Sequence, residues 1–374
     1  MSLQKKNEFY ALLSLIHTKG LGPRRCKAII DFYGSAQKAV ERAKDWKSDL
    51  SIPEEIIKNF LSRSWIKSAN KEFDLFQRSN INVLLYTDPK YPDLLKEIPD
   101  PPPYLYYIGN LDLLKRPCIA VVGSRICSKT GKELSFSISK ELSSLGICVV
   151  SGFALGIDRE AHLGALEEKG SSIAVLGCGL DIIYPARNKD VWLKLKEKGL
   201  ILTEFSIGTS PEGNNFPRRN RIISGMSYGV VVIEAKERSG SLITARLGIE
   251  QGRMVFAVPS SPSSLYQGTN KLIKEGATLI TSAKEIVEEL AFILNRENSQ
   301  NPSIEEHDNE IKEDLSTEER MVLDLLKERE KLHIDEISKN LDWPSCKASE
   351  ILLLLELKGM VVQLPGTFYT LKRL

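Results

Sequence analysis

Six short runs of nearly unbroken Val, Ile and Leu recur between residues 117 and 282: Cys118–Val122, Ile147–Val150, Ile173–Leu176, Leu200–Thr203, Val230–Ile233 and Val255–Val258. A strand with one wet face alternates apolar and polar residues, whereas a continuous apolar run is buried on both faces. The intervening segments are long enough for crossover helices. The pattern therefore predicts an α/β fold, a Rossmann-like, doubly wound and mainly parallel sheet covered by helices. Ligands on such sheets bind at the carboxyl ends of the strands.

The flanks read differently. Residues 1–75 are expected to form a helical domain of the helix-hairpin-helix or SAM-like kind, and 76–290 the Rossmann-like domain. Within the first lies Lys19-Gly-Leu-Gly-Pro-Arg-Arg-Cys-Lys-Ala28, with Pro23 suited to a first helical position. Such a turn can hold a phosphate near Arg24, Arg25 and Lys27; it equally suits a helical hairpin kept for packing. The run Asp100-Pro-Pro-Pro103 predicts an extended connector. Residues 291–315 read as an acidic linker, 295–314 carrying seven acids against two bases.

Residues 316–374 predict a winged helix. Its first helix opens on the capping-box pattern Ser316-Thr-Glu-Glu319, and Pro344–Lys358 is its third helix. Two strands flank a Pro365-Gly366 turn. The third helix sets Lys347 and Lys358 against Glu350 and Glu356 around Leu352-Leu-Leu-Leu355. A helix that reads DNA is basic on its exposed face, so protein contact or structural support is the expectation here.

Bulk charge announces no polyanion partner: 51 basic and 49 acidic residues leave a net +2 in 374 residues. Nucleic-acid affinity would have to come from local patches. Six cysteines lie singly with no Cys-x-x-Cys pair, and no apolar run has membrane-spanning length. A cytoplasmic protein without membrane contact is expected. The four histidines have no metal spacing, so no metal site is assigned.

Unusual residues cluster where the predicted strands end. The first run leads to Gly123-Ser124-Arg125, where glycine permits close backbone approach and arginine offers a planar fork for phosphate. No Gly-x-Gly-x-x-Gly follows, so a dinucleotide fingerprint is lacking and no cofactor is expected. The second leads to Ser151-Gly152-Phe-Ala-Leu-Gly156-Ile-Asp158, with His162 one turn further. Asp158 is placed as a helix N-cap. An acid–base pair with His162 is conceivable, but a cap plus a core or helix-surface histidine is the favoured reading. Gly177–Asn188, Glu234-Ala, Ser239–Ala245 and Gly268–Lys274 supply further anion-friendly loops. Together they point to a polyanion or a nucleotide.

The segment Asn214-Asn215-Phe216-Pro-Arg218-Arg219-Asn220-Arg221 carries three arginines in four positions with no acid among them. Burying them would need partners, so the cluster is expected to face water or an anion. An aromatic beside cations suits stacking plus phosphate contact with a single nucleic-acid strand; a solvated arginine-rich turn is the competing reading.

Taken in order, Val122-Gly-Ser-Arg125, Ser151-Gly-x-Ala-x-Gly-Ile-Asp158 with Ala161-His162, Tyr184-Pro-x-x-Asn188, Asn215-Phe-Pro-Arg-Arg-Asn-Arg-Ile-Ile223, Glu234-Ala and Ser239-Gly-Ser-Leu-Ile-Thr-Ala245 resemble the DNA-processing protein A family, also called Smf. The matching motifs span roughly residues 120–280, and the flanking domains fit. The resemblance implies a non-enzymatic single-stranded DNA binder, with no catalytic residue. Such proteins protect incoming strands during natural transformation, help load the RecA recombinase, and act as homodimers through the Rossmann-like domain. It makes Arg125 a phosphate ligand, places Asn215, Phe216, Arg218, Arg219, Asn220 and Arg221 at the strand, and lets Gly123, Ser124, Ser151, Gly152, Gly156 and Asp158 shape the same pocket. One departure is Ser260-Ser261 after Pro259, where the family commonly has glycine. The alternative is a nucleotide or phosphoribosyl hydrolase on a related fold, using Glu204 or Glu234 as acid or base. Its Pro-Gly-Gly-x-Gly-Thr loop is missing from the sequence. A purely structural adaptor is a third possibility.

Overall fold

The computed structural model describes residues 1–298, 317–329, 331–357, 360–364 and 367–371. Residues 1–299 and 300–374 form two compact units.

Among the described residues of the first unit, nine strands make one sheet: β1 (Asn82–Leu85), β2 (Tyr104–Gly109), β3 (Cys118–Val122), β4 (Cys148–Ser151), β5 (Ser172–Val175), β6 (Leu200–Thr203), β7 (Gly229–Val232), β8 (Met254–Ala257) and β9 (Thr278–Leu279), in the order β1-β2-β6-β5-β4-β3-β7-β8-β9. All six expected strands are present within a residue of their predicted limits. From β6 through β9 every pairing is parallel, while β1 and β2 add an antiparallel margin. β2 begins where the proline run ends, held by Tyr86 N–H donating to Pro103 O at 2.9 Å and Tyr91 Oη donating to Pro102 O at 2.7 Å.

Both faces are covered, as the continuous runs require. Ile119, Val121, Val149 and Val231 pack against Ile138, Leu142, Ile157, Ala161, Ile286 and Leu290 of the helices Lys129–Ser144, Ile157–Ala165 and Ala283–Asn298. Their neighbours Ala120, Val122, Val150, Val230 and Val232 face a second core with Ile222, Ile223 and Ala245. The helix Ala283–Asn298 runs into the stretch expected to be linker, so 291–298 is helical; the rest of that stretch lies outside the described residues.

The N-terminal helices join the same core. Phe9 meets Tyr104 and Tyr106 of β2 edge to face, with ring centroids 5.3 and 6.1 Å apart. Beside them the buried Glu72 carboxylate accepts from Tyr104 Oη (2.9 Å) and Tyr106 Oη (2.7 Å) and lies 2.7 Å from His17 Nε2. Burial alone would raise the Glu72 pKa, but these hydrogen bonds outweigh it and hold the carboxyl below its ordinary value. At the glycine hairpin, Arg25 Nη1 donates to Gly20 O (2.8 Å) and Lys27 Nζ to Lys96 O (2.6 Å). Two of the three cations near that turn thus spend donors on backbone carbonyls.

The second unit is a winged helix. The helices Thr317–Glu328, Ile334–Asn340 and Ser345–Leu357 stand with β10 (Leu332–His333), β11 (Val361–Leu364) and β12 (Phe368–Leu371), paired in the order β10-β12-β11. Ile351, Leu352 and Leu355 are buried with Val322, Leu326 and Ile337. Lys347 bonds Glu318 at 2.5 Å and lies over the Trp343 ring. Ser316, Lys358 and the Pro365-Gly366 turn lie outside the described residues.

Candidate nucleic-acid interface

The chain builds leftward from β3 through β4, β5 and β6, then crosses to β7 on the other side of β3. Crossovers therefore leave β3 and β7 in opposite directions, which opens a crevice at their carboxyl ends. The helix Asn215–Gly225 lies in the connection from β6 to β7, so the arginine cluster is delivered to that crevice.

At the surface, Arg125 sits over the Phe216 ring with its guanidinium carbon 5.3 Å from the centroid, and Tyr184 lies 5.9 Å from Phe216 on a tilted plane. Arg125 and Tyr184 are exposed and Phe216 half-buried. Gly177 makes room for the ring, because a Cβ there would come within 2.8 Å of Phe216 Cδ1. Arg218 is half-exposed, 5.2 Å above the Phe205 ring, and donates to Glu204 Oε2 at 2.9 Å. Asn215 is half-buried, its side-chain amide donating to Ser210 O at 3.2 Å.

The expectation that the whole cluster faces water or an anionic ligand is corrected for two of its arginines. Arg219 and Arg221 are buried, because acids and carbonyls distant in sequence partner them. Arg221 donates to the same Glu204 Oε2 at 2.6 Å, with Asp100 at 3.4 Å. Arg219 Nη1 donates to Gly152 O at 2.5 Å and to Val175 O, and its Nε to Asn220 Oδ1 at 3.2 Å. Asn220 in turn donates to Gly240 O at 3.3 Å. Burial lowers the Arg219 pKa to about 10 and raises that of Asp158, the facing charges of the two opposing both shifts.

Asp158 is not the N-cap it is expected to be. Gly156 takes that position at φ 77°, and Asp158 lies in the first turn of the following helix, accepting from Ala154 N at 3.3 Å. Only glycine suits Gly156: a Cβ would lie 2.5 Å from Ser124 O and 2.6 Å from Arg125 O. Gly152 likewise leaves space for Arg219 and Asp158, and Gly123 for Ile157. Ser151 is buried, donating to Val121 O at 2.6 Å, and Ser124 Oγ donates to Ile126 O at 2.5 Å. His162 is a core residue whose Nδ1 lies 2.7 Å from Ser172 Oγ; burial, aided by Arg219, drives its pKa down to about 3. Buried Asn188 donates to Phe153 O (2.9 Å) and Ala154 O (3.2 Å), steadying a loop in which Phe153 adopts φ 61°.

Glu204 is bound by two arginines, and Glu234 accepts from Ser128 N (2.9 Å) and Ser128 Oγ (2.5 Å). At Ser260-Ser261 neither residue has positive φ. Asn270 brackets Ser260 instead, accepting from its N at 2.9 Å and donating to its O at 2.8 Å. Among the described residues there is no cluster able to hold a metal ion, and no helix is long and apolar enough to cross a membrane.

Fold and rim together define a Rossmann-like protein with an arginine–aromatic crevice, coupled to a winged helix. The profile of the DNA recombination-mediator protein A family matches residues 82–291, and that of the DprA winged helix domain residues 307–367. The chain belongs to this family. It is 46% identical over 226 residues to the DNA processing protein DprA of Streptococcus pneumoniae, covering 60% of this chain and 77% of that one. It is 42% identical to the protein Smf of Escherichia coli over 61% of this chain and 62% of the relative. Among solved structures, the DNA processing protein A of S. pneumoniae superposes with TM-score 0.63 at 36% identity, covering 76% of this chain and 97% of that one. The Helicobacter pylori protein, described for its single-stranded DNA binding mode, gives TM-score 0.53 at 30% identity over 58% and 98% of the two chains.

Proposed function

We propose that this chain binds single-stranded DNA in the crevice at the carboxyl rim, without chemistry of its own. In this reading it shields incoming strands, helps load the RecA recombinase, and works in the cytoplasm as a homodimer. The observation that carries the binding is the rim cluster of exposed Tyr184 and Arg125 about the half-buried Phe216 ring. It offers ring faces to bases and a guanidinium to phosphate without reading sequence. Arg218 supplies a second cation, and Asn215 lies beside it. Gly123, Ser124, Ser151, Gly152, Gly156, Asp158, Arg219, Asn220 and Arg221 frame the crevice from below. The H. pylori relative's single-stranded DNA binding supports the same reading. Glu204 Oε2 is held by Arg218 and Arg221 and Glu234 by Ser128, structural pairings that support the non-enzymatic reading over the hydrolase one.

The test is fluorescence anisotropy of a labelled oligothymidine over a salt series, with a duplex competitor. Tight, salt-steep binding that resists duplex is expected. Arg125→Glu or Arg218→Glu should weaken it and flatten the log–log salt slope by about 0.7 for each lost phosphate contact. Unchanged affinity in both variants removes the site assignment. Release of free base from nucleoside monophosphates overturns the non-enzymatic reading.

A further inference from the structure

The crevice just described reaches Arg125 at the end of β3, yet the rim continues beyond it over β7 and β8. The loops there are laced by backbone bonds: Ser124 N–H donates to Glu234 O at 2.7 Å, Gly268 N–H donates to Ala235 O at 2.8 Å, and Ala235 bridges Gln267 in parallel. Gly268 permits that closeness, since a Cβ would lie 2.7 Å from both Ala235 O and Lys236 O. Tyr266 Oη closes the span by donating to Ile126 O at 3.1 Å, and Gln267 Nε2 pins the loop through Ser261 O (2.7 Å) and Ser264 O (3.1 Å).

This tied floor nevertheless carries Ile126 and Leu265, which are 76% and 74% exposed. Lys236 and Arg238, also exposed, stand on the loop between them on either side of exposed Glu237, two cations to one acid. Exposed apolar side chains scattered singly are ordinary. Here two sit on neighbouring loops joined through one tyrosine, and Ile126 directly follows Arg125. Apolar and aromatic surface flanked by cations complements the base faces and phosphates of an unpaired strand.

We infer that the rim over β3, β7 and β8 is a second single-stranded DNA subsite: bases rest on Ile126, Leu265 and Tyr266, and Lys236 and Arg238 face the flanking phosphates. The strand then crosses the rim from the β5 side to the β8 side. This inference rests on the proposed function.

The test titrates the full chain with oligothymidines of graded length. The variants are Ile126→Ser with Leu265→Ser, and Lys236→Gln with Arg238→Gln, all at exposed positions. Short oligomers that fill only the Phe216–Arg125 part should bind wild type and variants alike. Longer ones should gain affinity on wild type and lose about tenfold on the serine variant. The glutamine variant should flatten the salt dependence for long oligomers alone. Identical length dependence in wild type and variants overturns the subsite. So does a serine variant that loses self-association in sedimentation while its length dependence is intact, which would make this face a contact between copies. If wild type binds no oligomer of any length, the proposed function itself falls.

Discussion

His162 and Arg219 share a buried layer beneath the rim, and each has a shifted pKa because water is kept from it. The histidine pKa falls from 6.5 to about 3, so between those values the unfolded chain binds a proton that the folded chain refuses. Stability contributed by neutral His162 is full above the unfolded value and is lost as pH falls. Relative to His162→Asn, wild type should therefore lose up to about 1.4 kcal/mol per pH unit through this window. Urea titrations at stepped pH check this, and parallel slopes would place the proton elsewhere. Neutral-pH DNA affinity should not change. At this scale the sequence was legible for exposed groups and blind to pairing. Arg125 and Phe216 declare themselves by local chemistry, whereas Arg219 and Arg221 looked unpaired because Glu204, Asp158 and Asp100 arrive from other elements.

The elements were read more reliably than the residues, because double-sided burial writes a continuous apolar run into each inner strand. The margins carry runs as well, Val83-Leu-Leu85 in β1 and Tyr104–Ile108 in β2, but nothing in them announces antiparallel pairing. β1 and β2 pair antiparallel at the edge, and β2 owes its order to Tyr104 and Tyr106 over Glu72. The aromatic and β-branched stretch Tyr104–Ile108 was the available signal. Between elements, the turn from β4 into Ile157–Ala165 is the tightest constraint at the site. Gly156→Ala would force a side chain into a positive-φ conformation and against two carbonyls. A loss of about 2 kcal/mol or more is expected, together with weaker single-strand binding as the Arg125 loop is displaced. Thermal melts and anisotropy report the two effects, and a variant as stable as wild type would show that the turn relaxes freely.

On the scale of the molecule, the helical N-terminal segment and the sheet lie in one compact unit. Glu72 is a principal tie, holding Tyr104, Tyr106 and His17 at the junction. Its lowered pKa means that its contribution is present at neutral pH and lost as acid protonates the carboxyl. Glu72→Ala would strand buried hydroxyls and should cost about 3 kcal/mol. Followed by hydrogen exchange, the N-terminal helices and the sheet of the first unit should still open together, and separate opening of those two parts would refute the single unit. Length and net charge disclosed little at this scale, since the polar ties lie inside the fold.

The laced rim has one more consequence. Its loops hang from neighbouring parallel strands, whose spacing of about 4.8 Å is set by backbone bonding rather than by side chains. On the proposed path the sheet acts as a comb whose teeth stand at fixed pitch. A guest laid across it is gauged by its length and not by its letters.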